Sequence, residues 1–189
     1  MKTVGVLALQ GDFEAHRKAL EEAAGAGEGV RAVEVRSAAQ LETCDGLIIP
    51  GGESTTMMKL LGEENLLEPI RSFGATKPIY GTCAGAILLA RDVSHPAQAS
   101  LGLMDIDVER NAYGRQVDSH IARLAYAGGE MEAVFIRAPI IRRVGAEARV
   151  LAMHRGDPVW VEQGRHTVTT FHPELAADRS VHRRFLGKL

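Results

Sequence analysis

The first half of the chain alternates short apolar runs with segments of strong helix formers. The run TVGVLAL at 3–9 is continuous and β-forming, which is typical of a strand buried on both faces of a parallel sheet. Further strands are predicted at 30–36, 45–52 and 77–81, and helices at 13–25, 54–74 (one broken helix or two short ones) and 84–91. Because strand alternates with helix, this half is expected to form parallel βαβ units in a doubly wound sheet.

The second half consists of short strand-like segments separated by turn residues. They lie at 103–110, 119–127, 133–139, 149–156, 157–164 and 166–171, and a terminal helix is predicted at 178–189. With no repeat or linker in the sequence, we expect residues 1–189 to form a single α/β domain. The predicted fold is therefore a three-layer, doubly wound, mostly parallel sheet with an antiparallel extension.

The overall composition argues against several classes of protein. A net charge of −2 gives no electrostatic case for binding nucleic acid or an anionic membrane. The N-terminal MKTVGVLALQGD has an apolar core of only six residues, which is too short for a signal peptide or a membrane span. The two cysteines, Cys44 and Cys83, do not form a disulfide framework, so we expect a cytoplasmic protein. No Cys/His cluster has metal-ligand spacing, and we expect neither a metal nor an organic cofactor.

The pentapeptide GTCAG at 81–85 places Cys83 where a predicted strand turns into a predicted helix. Small residues on both sides allow a tight turn that exposes the central side chain, as in a nucleophile elbow. The first N–H groups of the following helix favour a thiolate and can bind an oxyanion. The alternative is that Cys83 is a small buried apolar residue, as many free cysteines are. The strand-before, helix-after context favours the nucleophile.

A cysteine nucleophile needs a base, and the stretch TTFHPEL at 169–175 provides a candidate. Pro173 favours an extended conformation at His172, so the side chains of His172 and Glu174 should project to the same side. The Glu174 carboxylate could then bind one ring nitrogen and leave the other for the thiol of Cys83. The alternative, a His–Glu pair in a surface turn, is the better interpretation of this stretch when it is taken without Cys83.

The other histidines are less suited to this role. His16 falls in the middle of a helix and is predicted to be a surface residue, and His182 lies in the charged terminal helix. The remaining four lie in a loop or in strands without a nearby acid in suitable phase: His95, His120, His154 and His166.

The stretch IIPGGEST at 48–55 ends a predicted strand in two glycines. It should lie at the carboxyl edge of the sheet, where open α/β proteins bind ligands. A glycine N–H there could serve as a second oxyanion donor, although an ordinary loop is the better interpretation of such a turn alone. No Gly-Lys-Ser/Thr follows, so this is not a phosphate-binding loop.

In this order and spacing, GTCAG, PGGES and FHPE resemble the class I (triad) glutamine amidotransferases, which have a flavodoxin-like three-layer fold. Further stretches resemble the glutaminase subunits of the two-component pyridoxal 5′-phosphate synthases, and this resemblance covers essentially the whole chain. They are VGVLALQGDFEAH, IIPGGESTTM, VERNAYGRQVDSH and VFIRAP.

The resemblance implies a role for each site residue. Cys83 would attack the side-chain amide of glutamine, with His172 as base and then acid, and Glu174 would hold the imidazole. The oxyanion hole would be formed by the N–H groups of Gly52 and Ala84. The glutamine-binding positions would be Gly52, Glu53, Ser54, Arg110, Ile136 and Arg137. Gln10 corresponds to a glutamine near the site and the partner surface.

The resemblance also implies a partner. Ammonia released into water is protonated and lost to synthesis, and once the glutaminase elements are placed no residues remain for an acceptor domain. The family implies a (β/α)₈ synthase subunit in a large hetero-oligomer, with a glutaminase that is nearly idle until it docks. We expect a misformed oxyanion hole in the free chain, with the Gly51–Gly52 peptide as the movable part.

Three other functions stay open at this point. A stand-alone cysteine hydrolase of γ-glutamyl substrates would not depend on a partner. A redox or chaperone module would need Cys83 but not His172 or Glu174. A glutaminase subunit of another synthase is opposed only by the stretches ERNAYGRQVDS and FIRAP.

Overall fold

The fold was examined in a computed structural model, which describes residues 1–25, 29–111 and 119–189. Part of the Gly/Ala-rich connection after the first helix lies outside the described residues, as do residues 112–118 of the stretch ERNAYGRQVDS. In the described part of the chain, no helix is both long enough and apolar enough to cross a membrane.

Twelve strands and six helices are seen in the described residues. The strands are β1 (Lys2–Leu7), β2 (Val30–Val35), β3 (Gly46–Ile49), β4 (Ile79–Thr82), β5 (Ala90–Ser94), β6 (Met104–Glu109), β7 (Ser119–Tyr126), β8 (Gly129–Ile136), β9 (Ile140–Val144), β10 (Ala148–His154), β11 (Asp157–Gln163) and β12 (His166–Thr169). The helices are α1 (Phe13–Ala24), α2 (Ala38–Glu42), α3 (Ser54–Glu63), α4 (Leu67–Thr76), α5 (Ala84–Leu89) and α6 (Ser180–Leu186), and Pro173–Leu175 form a 3₁₀ turn.

The main sheet has nine strands in the order β2-β1-β3-β4-β12-β11-β10-β7-β8. The first five strands pair in parallel, and the pairs from β12 to β8 are antiparallel. This confirms the predicted doubly wound, mostly parallel sheet with its antiparallel extension. Because β12 pairs with β4 in parallel, the last strand of the chain brings its carboxyl end beside that of β4.

A separate three-stranded sheet, β5-β6-β9, was not predicted. The helix expected over 84–91 ends at Leu89, and the chain continues directly into β5 at Ala90. Strand β5 pairs in parallel with β6, and the Ser100 hydroxyl donates to the Ala90 carbonyl at 2.6 Å. The segment 54–74 forms two helices, one of the two outcomes expected, and the short helix α2 was not foreseen.

The core lies on both faces of the main sheet. Alternate residues of β3 point to opposite sides: Leu47 and Ile49 pack in one apolar cluster, and Ile48 packs in the other. Helices α3, α4 and α5 contribute to the first cluster and α1 and α6 to the second. Burial of all of β3 and β4, and of β1 from Thr3 onwards, explains why the sequences of these strands are mainly apolar.

The two glycines of the GTCAG turn are required by close backbone contacts. A Cβ placed on Gly85 would lie 2.2 Å from the carbonyl oxygen of Ile49, and one on Gly81 would lie 2.5 Å from the carbonyl oxygen of Gly85. Because these contacts are with backbone atoms, no side-chain rotation can relieve them. The turn therefore needs glycine at both positions.

Replacing Gly85 with alanine is expected to lower the free energy of unfolding by about 2–3 kcal/mol, because the added methyl group forces α5 away from β3. Gly62→Ala is the matched control. Its Cβ would meet only Leu67 Cδ1, at 4.0 Å, so alanine in α3 should stabilise the protein by about 0.5 kcal/mol. Urea unfolding measures the free energy of unfolding of both variants. Equal stability of Gly85→Ala and wild type would contradict this account of the turn.

Candidate active site

The candidate site is a cavity of about 400 Å³ at the carboxyl ends of four parallel strands, β1, β3, β4 and β12. This is the edge at which doubly wound sheets bind ligands. Its lining residues are Gln10, Gly11, Asp12, Gly51, Gly52, Glu53, Ser54, Cys83, Ile87, Arg110, Asn111, Ile136, Arg137, Pro139, His172 and Leu175.

Cys83 lies at the junction of β4 and α5, as the sequence predicted. Its backbone has φ 51° and ψ −102°, a conformation that non-glycine residues rarely adopt and that recurs at functional sites. The Cys83 N–H donates to the Thr169 carbonyl at 2.8 Å, and the Ala86 N–H donates to the Cys83 carbonyl at 3.0 Å. These bonds hold the turn between β12 and α5, so that the side chain faces the cavity.

His172 and Glu174 form a buried pair. The His172 Nδ1–H donates to Glu174 Oε1 over 2.7 Å, and the Glu174 side chain is fully buried behind the imidazole. The expectation of a plain extended chain was wrong in detail, because Pro173 begins a 3₁₀ turn that carries Glu174. The turn brings the carboxylate to Nδ1 of the His172 ring, so the predicted contact still forms.

The structure places the Cys83 thiol and the His172 imidazole in the wall of the same cavity, close enough for Cys83 to affect the pKa of the imidazole. Since Nδ1 is bound to Glu174, Nε2 is the ring nitrogen that remains for the thiol. Burial by itself would lower the pKa of His172, but the contacts with Cys83 and Glu174 outweigh it and raise that pKa to about 10. The ring also requires Gly51, because a Cβ there would lie 2.5 Å from His172 Cε1.

The raised pKa of His172 predicts a loss of stability in alkaline solution. A histidine whose pKa is raised by folding contributes stability that is fully present below pH 6.5 and lost as the pH rises towards about 10. Between pH 7 and 10, the free energy of unfolding of wild type should therefore fall by about 3–4 kcal/mol more than that of His172→Gln. Urea unfolding at both pH values tests this, and parallel declines in the two chains would contradict it.

Gln10 packs directly against the glycine turn after β3. Its Oε1 accepts the Glu53 N–H at 3.0 Å and would lie 2.4 Å from a Cβ on Gly52. The Gly51 carbonyl accepts the Asp12 N–H at 3.3 Å. The Gly51–Gly52 peptide is thus contacted on one side by the chain segment that follows β1. The expectation that this peptide moves stays a prediction.

Three predicted substrate-binding residues meet at the start of α3. Glu53 caps this helix by accepting the N–H groups of Thr55 and Thr56, at 3.1 and 2.6 Å. Burial works against ionisation, but these hydrogen bonds outweigh it and lower the pKa of Glu53 to about 2. Arg110 donates to Thr55 Oγ1 at 3.0 Å and to Glu53 Oε1 at 3.4 Å. The Ser54 hydroxyl donates to Gln98 Oε1 at 2.9 Å.

Three substrate-binding predictions remain, and all three line the cavity: Gly52 after β3, and Ile136 and Arg137 at the end of β8, where Arg137 adopts a positive φ of 43°. Ala84 does not line the cavity: it follows Cys83 as the first residue of α5 and is 1% exposed.

In the described ranges, no three His, Cys, Asp or Glu side chains are grouped as a metal site would require. Lining residues that the sequence did not indicate include Asn111, Pro139 and Leu175.

The prediction that His16 is a surface residue was wrong, because its side chain is fully buried. Its Nδ1 lies 3.1 Å from His182 Nε2, and its Nε2 lies 3.4 Å from Glu174 Oε2. His16 shares its helix face with the buried residues Ala19, Leu20 and Ala23. The spacing i, i+3, i+4, i+7 is the signal that could have placed it on the inner face.

The fold is that of the α/β proteins known as glutamine amidotransferases. The chain belongs to the SNO glutamine amidotransferase family, whose model matches residues 6–189. A solved structure described as a glutamine amidotransferase is 46% identical, with a TM-score of 0.90, and the match covers 98% of this chain and 97% of that one. The solved structure of PurLQS from Thermotoga maritima shares the fold alone, at 17% identity and a TM-score of 0.66 over 99% of this chain and 93% of that one.

Two curated relatives are similar over their whole length. The chain is 58% identical to the pyridoxal 5′-phosphate synthase subunit PdxT of Solibacter usitatus (strain Ellin6076), over 100% of both proteins. It is 54% identical to the protein of the same name from Deinococcus radiodurans, over 98% of this chain and 96% of the relative.

Proposed function

We propose that this chain is the glutaminase subunit of a pyridoxal 5′-phosphate synthase, which hydrolyses L-glutamine to L-glutamate and ammonia and passes the ammonia to a synthase subunit. The observation that carries the proposal is that Cys83 and the Glu174-bound His172 line one cavity at the carboxyl edge of the sheet. We infer which synthase receives the ammonia from the names of the full-length relatives. The whole chain, 1–189, acts as one glutaminase domain.

In the first half of the reaction, the Cys83 sulfur attacks the side-chain carbonyl carbon of glutamine. The C=O electron pair moves onto oxygen, and the oxyanion accepts hydrogen bonds from the N–H groups of Gly52 and Ala84. His172 Nε2 carries the proton taken from the thiol and gives it to the amide nitrogen. The C–N bond then breaks, ammonia leaves, and Cys83 holds a γ-glutamyl thioester.

In the second half, water attacks the thioester carbonyl while His172 accepts one of its protons. The C–S bond breaks, the proton returns to the sulfur, and glutamate is released. Glu174 does not take part in proton transfer to the substrate. Its carboxylate fixes Nδ1 of His172 as the protonated nitrogen, so that Nε2 faces Cys83, and it stabilises the imidazolium.

The walls of the cavity suit a free amino acid with an uncharged side-chain amide. Four charged residues line the cavity: we infer that Arg110 and Arg137 bind the α-carboxylate, and that Glu53 and Asp12 are the anionic side chains available for the α-ammonium. Ile136 offers an apolar surface to the two methylenes of glutamine. Ser54, next to Glu53 at the start of α3, is the last of the proposed glutamine-binding residues.

The partner is a (β/α)₈ synthase subunit in a large hetero-oligomer with this chain. Gln10 lines the cavity and bonds the backbone beside Gly52, so a partner that contacts Gln10 could alter the oxyanion hole. We place the activity in the cytoplasm, because both Cys44 and Cys83 are free thiols and the catalytic thiol must stay reduced.

The experiment is to measure glutamate release by the purified chain with and without the synthase subunit. The proposal predicts a rate at least about tenfold higher in the complex, the size of a typical coupling between sites. Equal rates, together with turnover of γ-glutamyl peptides, would instead identify a stand-alone hydrolase. If His172→Ala keeps full glutaminase activity, the triad assignment itself is wrong.

A further inference from the structure

A series of buried polar side chains continues behind the proposed triad. Glu174 binds His172 through Oε1, its Oε2 lies 3.4 Å from His16 Nε2, and His16 Nδ1 lies 3.1 Å from His182 Nε2. The side chains of Glu174 and His16 and the whole of His182 are 0% exposed. Nothing in the mechanism above uses His16 or His182, although burying two imidazoles in an apolar core is costly unless they are hydrogen-bonded.

The protons of this series can be assigned from chemistry. Burial opposes ionisation of Glu174, but its pKa is lowered, and the hydrogen bond from the protonated His172 keeps the carboxylate ionised, so that it can only accept. Burial lowers the pKa of His16, which is therefore a neutral imidazole with a single N–H. Among the described residues, neither His16 Nε2 nor Glu174 Oε2 has a hydrogen-bond partner, and the two atoms face each other at 3.4 Å, where a bare ring nitrogen would be repelled by the carboxylate. The proton must therefore lie on His16 Nε2, facing the carboxylate.

This assignment fixes the next residue as well. With its proton on Nε2, His16 presents a bare Nδ1, which can only accept. His182 must then donate through Nε2, and burial lowers its pKa well below the usual value, so it too is neutral. Every N–H donated in this series points towards Glu174. Tyr80 packs edge-on against both rings, with centroids 5.9 Å away, and holds their planes.

His16 and His182 lie on helices that pack next to the candidate active site. Helix α1 begins next to Asp12 in the cavity wall and carries His16 one turn later, and it packs against both α6 and the 3₁₀ turn of Glu174. Arg179, at the start of α6, donates to the Pro173 carbonyl at 3.3 Å. The titratable and charged groups within or facing this series come from every element packed around it. They are Asp12 before α1, His16 on α1, Tyr80 on β4, His172 and Glu174 after β12, Arg179 at the start of α6 and His182 on α6.

We propose that His16 is a positioning residue of the triad, whose Nε2–H faces Glu174 Oε2 at 3.4 Å and by this electrostatic contact keeps the carboxylate ionised and its Oε1 directed at His172. His182 donates to Nδ1 of His16 and so keeps the proton of His16 on Nε2. The inference rests on the proposed function, because it assigns His16 a role in the same site. Without the donor, Glu174 is protonated more readily in acid, and the imidazolium of His172 loses its charged partner.

The test compares His16→Gln with His16→Asn. The two variants bury the same amide, but only the glutamine side chain is long enough to place its NH₂ where Nε2 lies, next to Glu174. In complex with the synthase, His16→Asn should lower kcat for glutamine about tenfold with KM unchanged, and the acid limb of its pH profile should move about one unit to higher pH. His16→Gln should follow wild type in both respects.

A second readout needs neither glutamine nor the synthase. The rate at which iodoacetamide alkylates Cys83 in the free chain, followed by mass spectrometry of its peptide, should show the same shift to higher pH in His16→Asn alone. His166→Asn is the control, since His166 is also buried but accepts the Ile79 N–H at 3.2 Å away from the triad. Its profile should match wild type.

An unchanged pH profile in His16→Asn, or an equal shift in His16→Gln, would overturn the inference and assign His16 a purely structural role. The two readouts also separate this inference from the proposed function. If no chain hydrolyses glutamine but the alkylation profiles of the asparagine and glutamine variants separate as predicted, the proposed function fails and the positioning role of His16 stands.

Discussion

Replacing Cys83 with alanine is expected to lower glutamine hydrolysis by at least about 10⁴-fold, the largest effect of any single change in this chain. The thiol is the group that forms the covalent intermediate, and the remaining hydrogen bonds of the cavity cannot replace a nucleophile. Because Cys83 is buried at a turn held by backbone hydrogen bonds, the shorter side chain should leave the fold intact. Glutamate release by the complex with the synthase, measured at saturating glutamine, gives the result.

The matched control is Cys44→Ala, which removes the other thiol of the chain. Cys44 is 1% exposed, and its Sγ contacts the Gln40 carbonyl at 3.4 Å. It precedes β3 and so lies at the amino end of that strand, whereas the cavity lies at the carboxyl end. Its loss should cost about 1 kcal/mol of stability and leave turnover unchanged. Activity above about 1% of wild type in a correctly folded Cys83→Ala chain would contradict the assignment of the nucleophile.

The second large effect is expected for Glu174→Gln, which should lower kcat by about 10³- to 10⁴-fold with little change in KM. The amide has the shape of the carboxylate but no charge, so it neither stabilises the imidazolium of His172 nor enforces its tautomer. Because Glu174 lies behind His172 and does not line the cavity, binding of glutamine should be preserved. Steady-state kinetics of the complex separates the two parameters.

Glu162→Gln is a suitable control, because Glu162 is also a buried carboxylate with charged partners. It binds Arg184 through two hydrogen bonds of 2.8 and 2.7 Å and Lys188 at 3.2 Å, and none of the three lines the cavity. This variant should lose stability of about 1–3 kcal/mol and keep its kcat. If both variants lose kcat equally, the effect of Glu174 is a general one on folding and not on the triad.

The parts of the site that could be predicted are those encoded by short stretches of sequence. Glycines at 81 and 85 allow the tight turn that presents Cys83, and Pro173 separates His172 from Glu174 by the interval that lets them bond. The parallel half of the sheet could also be predicted from local sequence. Its strands are buried on both faces and therefore appear as apolar runs that alternate with helix formers.

The parts that could not be predicted depend on contacts between distant segments. His16 and His182 are 166 positions apart and meet only because α1 and α6 pack on the same face of the sheet. The three-stranded sheet depends on β5 leaving α5 without a loop, where a run of helix formers gives no stop signal. The bond between Arg110 and Thr55 likewise joins two segments that no local pattern connects.

Covalent labelling tests the central claim most directly. A glutamine analogue that carries a diazoketone in place of the side-chain amide reacts irreversibly with a thiol that attacks its carbonyl region. Incubated with the complex, it should add one label per chain, on the peptide containing Cys83, and excess glutamine should prevent the addition. Labelling of Cys44 instead, or glutamine turnover that continues without any label on Cys83, would contradict the account.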